Sequence, residues 1–107
     1  MGQISLQWEP WEFSNFSALR AYLIMNSESM RIPCPIIGGK KDVYGNIIGE
    51  PIQIGEETQY FFKDRIDVVV MQYNNGSGKL IVVGEGDLDP RFNELEKILG
   101  FERLKKS

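Results

Sequence analysis

The sequence contains no histidine and a single cysteine, Cys34. Without histidine the commonest general base is missing, and with it the Ser–His and Cys–His dyads and every histidine-bearing zinc site. One cysteine makes neither a disulfide within the chain, nor a structural zinc site, nor a CxxC redox pair. Cys34 stands between Pro33 and Pro35, away from any helix start that would lower its pKa, so it is expected as a small buried or half-buried side chain rather than a nucleophile. Paired carboxylates remain a formal route to acid–base catalysis, but no pair stands out among the 15 acids. No enzymatic activity is therefore expected, and no cofactor.

Two further features are missing. There is no apolar run near the roughly 20 residues of a membrane span, and the N-terminus, MGQISLQWEP, has neither a basic n-region nor an apolar stretch of signal-peptide type. There is no basic face: Lys and Arg are scattered apart from Lys40-Lys41 and the tail Arg103, Lys105, Lys106, and the net charge is −3 with a pI near 4.9. Nucleic-acid binding by counterion release is not expected. A cytoplasmic location is expected from the single cysteine. An acidic surface suits solubility or a basic protein partner.

What is present is enough for one domain, 1–107, with 42% hydrophobic and 25% charged residues. Residues 3–8 alternate Ile4, Leu6, Trp8 with Gln3, Ser5, Gln7, which predicts a half-buried strand ended by Pro10. Residues 15–26 predict a helix capped by Ser14 or Asn15, with Phe16, Leu19, Leu23 on one stripe and Ala18, Tyr22, Met25 widening it. The segment 30–55 is rich in Pro and Gly and predicts short extended pieces at 35–38, 43–48 and 51–54. TQYFFK and IDVVVMQY, the latter 66–73, predict strands. LIVVG, 80–84, completes a hairpin whose tip is Asn75-Gly76 or a slightly longer loop. Apolar residues on both faces of 66–73 favour a central strand covered on both sides. Residues 90–99 predict a second helix, with Asp89 as N-cap, Pro90 at the first turn, a Phe92, Leu95, Ile98, Leu99 stripe, Gly100 past its end, and Phe101 packing back on Leu95. The order predicts an α+β fold: a mostly antiparallel sheet of about five or six short strands with two helices.

Two motifs invite a chemical reading and are explained more simply. Gly-Ser-Gly-Lys, 76–79, lacks the following Ser or Thr, the following helix and the first glycine of a phosphate loop, and is read as hairpin-turn chemistry. Glu85, Asp87 and Asp89 in GEGDLDP lack the register of a calcium loop, and helix capping accounts for Asp87 and Asp89. No metal site is expected.

WEPWEFSNF, 8–16, concentrates four aromatics. Trp8 and Phe16 are expected in the core, and Phe13 as a staple on the first helical turn. Trp11, between Pro10 and Glu12 in a connecting loop, has no core assignment and is a candidate anchor for a partner. The acids Glu9, Glu12, Glu56, Glu57, Glu85 and Asp87 are candidates to steer it. The leading expectation is a small acidic protein-binding module, an inhibitor or immunity-type protein masking a basic surface of an enzyme or toxin. Two alternatives stand beside it: a small-molecule-binding domain using the Gly-rich 38–84 loops, and a structural homo-oligomer burying Trp11 and an edge strand.

Overall fold

The computed structural model describes residues 2–12 and 15–100. The expected Phe13 staple, a cap at Ser14 and the packing of Phe101 lie outside them. The chain forms β1 (Gly2–Trp8), α1 (Phe16–Asn26), β2 (Ser29–Met30), β3 (Cys34–Gly38), β4 (Ile52–Phe61), β5 (Ile66–Tyr73), β6 (Gly78–Gly84) and α2 (Asp89–Leu99). The fold is α+β, with one six-stranded sheet whose strand pairs are all antiparallel. The spatial order is β1-β6-β5-β4-β2, and β3 lies beside the first half of β4.

The two helices follow from their apolar spacing. Leu19 and Leu23, four apart on α1, and Leu95 and Leu99, four apart on α2, are all buried. They close over Val68 and Val70 of β5 and Leu80 and Val82 of β6 in one core with Trp8, Tyr60, Phe62, Ile66 and Leu88. Asn15 caps α1: its side chain accepts the Ala18 N–H at 3.2 Å. Gly100 ends α2 in the left-handed conformation, its N–H donating to the Glu96 carbonyl. Asp89, expected as the N-cap of α2, is instead its first residue. Leu88 holds the cap position, and the Asp87 carboxylate accepts the Asp89 N–H at 3.1 Å. The turn is thus tied one step earlier, which leaves Leu88 to drop into the core.

Both helices pack on the same face of the sheet, whereas the apolar residues of 66–73 favour a cover on each face. The apolar residues on the far side of β5, Val69 and Met71, are only half-buried. Their cross-strand neighbours Gln59, Ile81, Glu57 and Lys79 shield them in place of a helix. Met25, expected to widen the α1 stripe, points to solvent, 82% exposed.

The middle of the chain differs most from expectation. The pieces anticipated at 51–54 and at TQYFFK are one strand, β4, running through Glu56 and Glu57. Ser29–Met30 adds a short strand on Phe61 and Tyr60. The piece at 43–48 is a turn instead of a strand, closed by a bridge between Lys41 and Ile47. Cys34 is exposed on β3, because that strand pairs with β4 alone and no helix reaches it.

Gly78 is dictated by packing. A Cβ there would stand 2.0 Å from the buried Trp8 ring, so β6 must begin without a side chain. Leu95 is fully buried at the centre of the core. Leu95→Ala is expected to cost about 2–5 kcal/mol, read from denaturant unfolding at constant m-value. A loss under about 0.5 kcal/mol would contradict this packing.

Candidate partner-binding surface

Residues 31–54 contain no buried side chain. They form an arm: β3, a long turn, and the first part of β4. β5 ends at Tyr73, opposite Gly55, so Ile52–Ile54 extend beyond it. Eight large apolar side chains on this arm are exposed: Ile32, Ile37, Val43, Tyr44, Ile47, Ile48, Ile52 and Ile54. Scattered surface apolar residues are ordinary, but a group of this size on one projecting element makes the arm a candidate interaction surface.

The tip of the arm is held in shape by its own hydrogen bonds, with the Asp42 carboxylate at their centre. Asp42 Oδ1 accepts the N–H groups of both Tyr44 and Asn46, each at 2.9 Å. The Asp42 N–H donates to the Asn46 carbonyl at 2.9 Å, and the Gly45 N–H to the Asp42 carbonyl at 3.1 Å. Gly45 takes φ of 84°, a conformation that costs glycine little. The result displays Val43, 93% exposed, and Tyr44, 84% exposed, on an ordered turn. A backbone ordered in this way before binding loses less conformational entropy on meeting a partner.

The base of the arm meets the β5–β6 turn. Asn74 donates its N–H to the Ile54 carbonyl and its side-chain amide to the Gln53 carbonyl, both at 2.8 Å. Ile52, Gln53, Ile54, Tyr73, Asn74, Asn75 and Ser77 line an open cleft of ≈ 540 Å³ there. Gly76 of the same turn lies against Pro10, so the loop carrying Trp11 sits at this end too. Trp11 is 80% exposed, whereas Trp8 is buried and stacks at a tilt on the Phe16 ring, centroids 6.3 Å apart.

The candidate acids do not converge on one patch. Glu9 is exposed beside Trp11, and Glu12 turns back, its Oε1 accepting the Glu9 N–H at 3.0 Å. Glu56 and Glu57 are adjacent on β4 and point to opposite faces, as alternation requires. Glu56 lines a crevice with Phe16, Arg20, Thr58, Tyr60 and Gln72 on the helix side, and Glu57 stands opposite Met71 on the other. Glu85 and Asp87 follow Gly84, the end of β6 opposite to Trp8. Seven residues of strand separate them from the Trp11 loop, about 20 Å. Glu85 lies 4.0 Å from Arg65, both exposed, and Asp87 caps α2. The structure therefore groups Glu9, Trp11 and Glu12 on one loop, sets Glu56 on β4 at the same end of the sheet and Glu57 on the opposite face, and leaves Glu85 and Asp87 at the other end.

No side chain of the arm is among the candidate partner contacts read from sequence, although the Gly-rich 38–84 loops of the small-molecule alternative span most of it. Its signal was a run of Ile, Val and Tyr placed between glycines and prolines, where no alternation says which residues face inward.

Opposite the arm, a second cleft of ≈ 620 Å³ is lined by Tyr22, Asn26, Ser27, Glu28, Phe62, Lys63, Asp64 and Arg91. Arg91 pairs with Asp64 and lies 4.1 Å above the Phe62 ring. Its cation is thus engaged in tying α2 to the β4–β5 turn. Among the described residues no three His, Cys, Asp or Glu side chains are grouped to hold a metal, and no helix is long and apolar enough to cross a membrane.

Two phenols carry a pH dependence. Burial raises the pKa of Tyr22, and the Glu94 carboxylate adds to it. Burial raises that of Tyr60, opposed by Arg20. Above the ordinary tyrosine pKa of 10.0 the unfolded chain loses these protons while the folded chain keeps them. Stability is then complete below about pH 10 and falls as pH rises past it. Urea midpoints measured between about pH 9 and about pH 11 should show this fall, and Tyr60→Phe should make it shallower. Comparison with known proteins finds no family model, no curated protein and no solved structure that matches the chain.

Proposed function

We propose that the chain is a non-catalytic protein-binding module that grips a protein partner with the arm 32–54 and the neighbouring Trp11. The observation that carries this reading is the hydrogen-bonded tip holding Val43 and Tyr44 in solvent. Tyr and Trp are the side chains that most often anchor interfaces, because each buries a large area for few rotatable bonds. The lack of histidine in the sequence favours a binding role over a chemical one.

The charge of the chain favours a basic partner. Glu9 beside Trp11 and Glu56 near the arm base give this end acids that steer association, while the aromatic groups set the lifetime of the complex. An inhibitor or immunity-type protein that covers the basic cleft of an enzyme or toxin works in this way. Glu85 and Asp87, at the far end, have no part in this version of the mechanism.

The test needs the partner and four variants. A partner captured with the wild-type chain is measured by surface plasmon resonance against Trp11→Ala, Tyr44→Ser, Val43→Ser and Glu9→Lys. Trp11, Val43 and Tyr44 are exposed, so their variants should melt within about 0.5 kcal/mol of wild type. Trp11→Ala and Tyr44→Ser should each raise the off-rate, by about 2 kcal/mol or more at a true anchor. Glu9→Lys should slow association and weaken its salt dependence. Unchanged binding by all four would place the interface elsewhere and overturn the proposal.

A further inference from the structure

The cleft between the arm and the β5–β6 turn has apolar walls, Ile52, Ile54 and Tyr73, and side-chain amides from Gln53, Asn74 and Asn75. Two of these amides are oriented by the chain itself. The Asn74 amide nitrogen donates to the Gln53 carbonyl at 2.8 Å, and the Gln53 amide nitrogen to the Gly55 carbonyl at 3.3 Å. An amide whose nitrogen is tied to a carbonyl has its oxygen turned away from that bond. Among the described residues neither Asn74 Oδ1 nor Gln53 Oε1 accepts a hydrogen bond. Asn75 is set the other way: its Oδ1 accepts the Ser77 N–H at 2.9 Å and the Ser77 hydroxyl at 2.6 Å, which leaves its nitrogen. The Tyr73 hydroxyl is committed to Met71 Sδ at 3.7 Å.

Charge adds a sign. Tyr73 shares the helix-free face with Met71, which has Glu57 opposite on β4 and Lys79 opposite on β6. Those two charges offset each other. The unbalanced charge comes from the loop that meets Gly76 through Pro10, where Glu9 and Glu12 are joined by the Glu9 N–H.

Apolar walls, two unspent oxygens and a negative mouth suit a long side chain that is apolar along its stem and only a donor at its end. Lysine and arginine have that form. Oxygens carried by two different residues suit the planar fork of a guanidinium better than a single ammonium, and a guanidinium also packs well beside an aromatic wall. We propose that the cleft seats an arginine side chain of the protein partner, its stem on Ile52 and Ile54 and its guanidinium at Gln53 Oε1 and Asn74 Oδ1 beside Tyr73. This rests on the reading of the arm end as the surface for a basic protein, and names the group that the surface recognises.

The test is an NMR titration of the full, isotope-labelled chain with the N-acetyl methylamides of arginine, lysine, citrulline and norleucine. The arginine compound should shift the backbone and side-chain amide signals of Gln53, Asn74 and Asn75, with a dissociation constant on the order of 10 mM. Lysine should bind about threefold weaker. Citrulline, which keeps the shape without the charge, and norleucine, which keeps only the stem, should each bind about tenfold weaker. Gln53→Met and Tyr73→Leu should each weaken the arginine compound about fivefold, and the ligand series on the unmodified chain decides the matter if either variant fails to fold. No shift at about 100 mM overturns the proposal, as do shifts centred away from the cleft. Lysine or norleucine binding as tightly as arginine overturns it too. The two readings fail separately. A captured partner that loses affinity with Tyr44→Ser but ignores both Gln53→Met and Tyr73→Leu removes the arginine seat and leaves the arm as the binding surface. A partner that ignores the arm, Trp11 and cleft variants alike removes the surface and the seat with it.

Discussion

The structure depends on a core built on one side of one sheet. Leu19 and Leu23 from the first helix and Leu95 and Leu99 from the second close on Val68, Leu80 and Val82. A domain of about 100 residues has apolar material for little more than this layer. Every element that reaches the layer is specified by it: the start of β6 by the Trp8 ring over Gly78, and the entry to α2 by Leu88. Elements that do not reach it are held by strand pairing and local hydrogen bonds, side-chain ones among them.

The arm is the main case. β3 and the first residues of β4 pair with each other, and the Asp42 carboxylate closes the tip. No helix covers them, so their apolar side chains stay in water. A segment of this kind contributes little to folding, and exposing isoleucine and valine favours association. Under the proposed binding role, retention of shape without a core is what the arm brings to a contact. The same turn of the sheet that receives the arm also receives the Trp11 loop, through Asn74 and Gly76. Two exposed apolar groups far apart in sequence therefore share one end of the molecule.

Charge is distributed differently. The acids at the ends of strands are largely spent on local structure: Glu12 on the turn after β1, Asp87 on the start of α2, Asp42 on the arm tip. An exposed pair such as Arg65 and Glu85 adds little stability, since water screens it. What remains for a partner is a modest excess of negative charge, able to influence the rate of encounter more than its strength.

Local pattern alone determined the α+β class, both helices, β1 and the β5–β6 hairpin, because each buries one regularly spaced stripe and its period shows. Asn15 and Gly100 also acted at the helix ends as their types predict. Three things were decided only by tertiary structure. The apolar residues on both faces of β5 suggested two covering layers, but cross-strand neighbours can half-bury a side chain as a helix would, and period cannot tell them apart. The continuity of β4 through Glu56 and Glu57 depends on strands from elsewhere in the chain pairing with it. The grouping of surface residues depends on where strands begin and end: adjacent Glu56 and Glu57 face opposite ways, and Glu85 lies a whole strand from Trp11. Sequence carries the preferences of each segment, whereas proximity between segments comes from the pairing that buries the core.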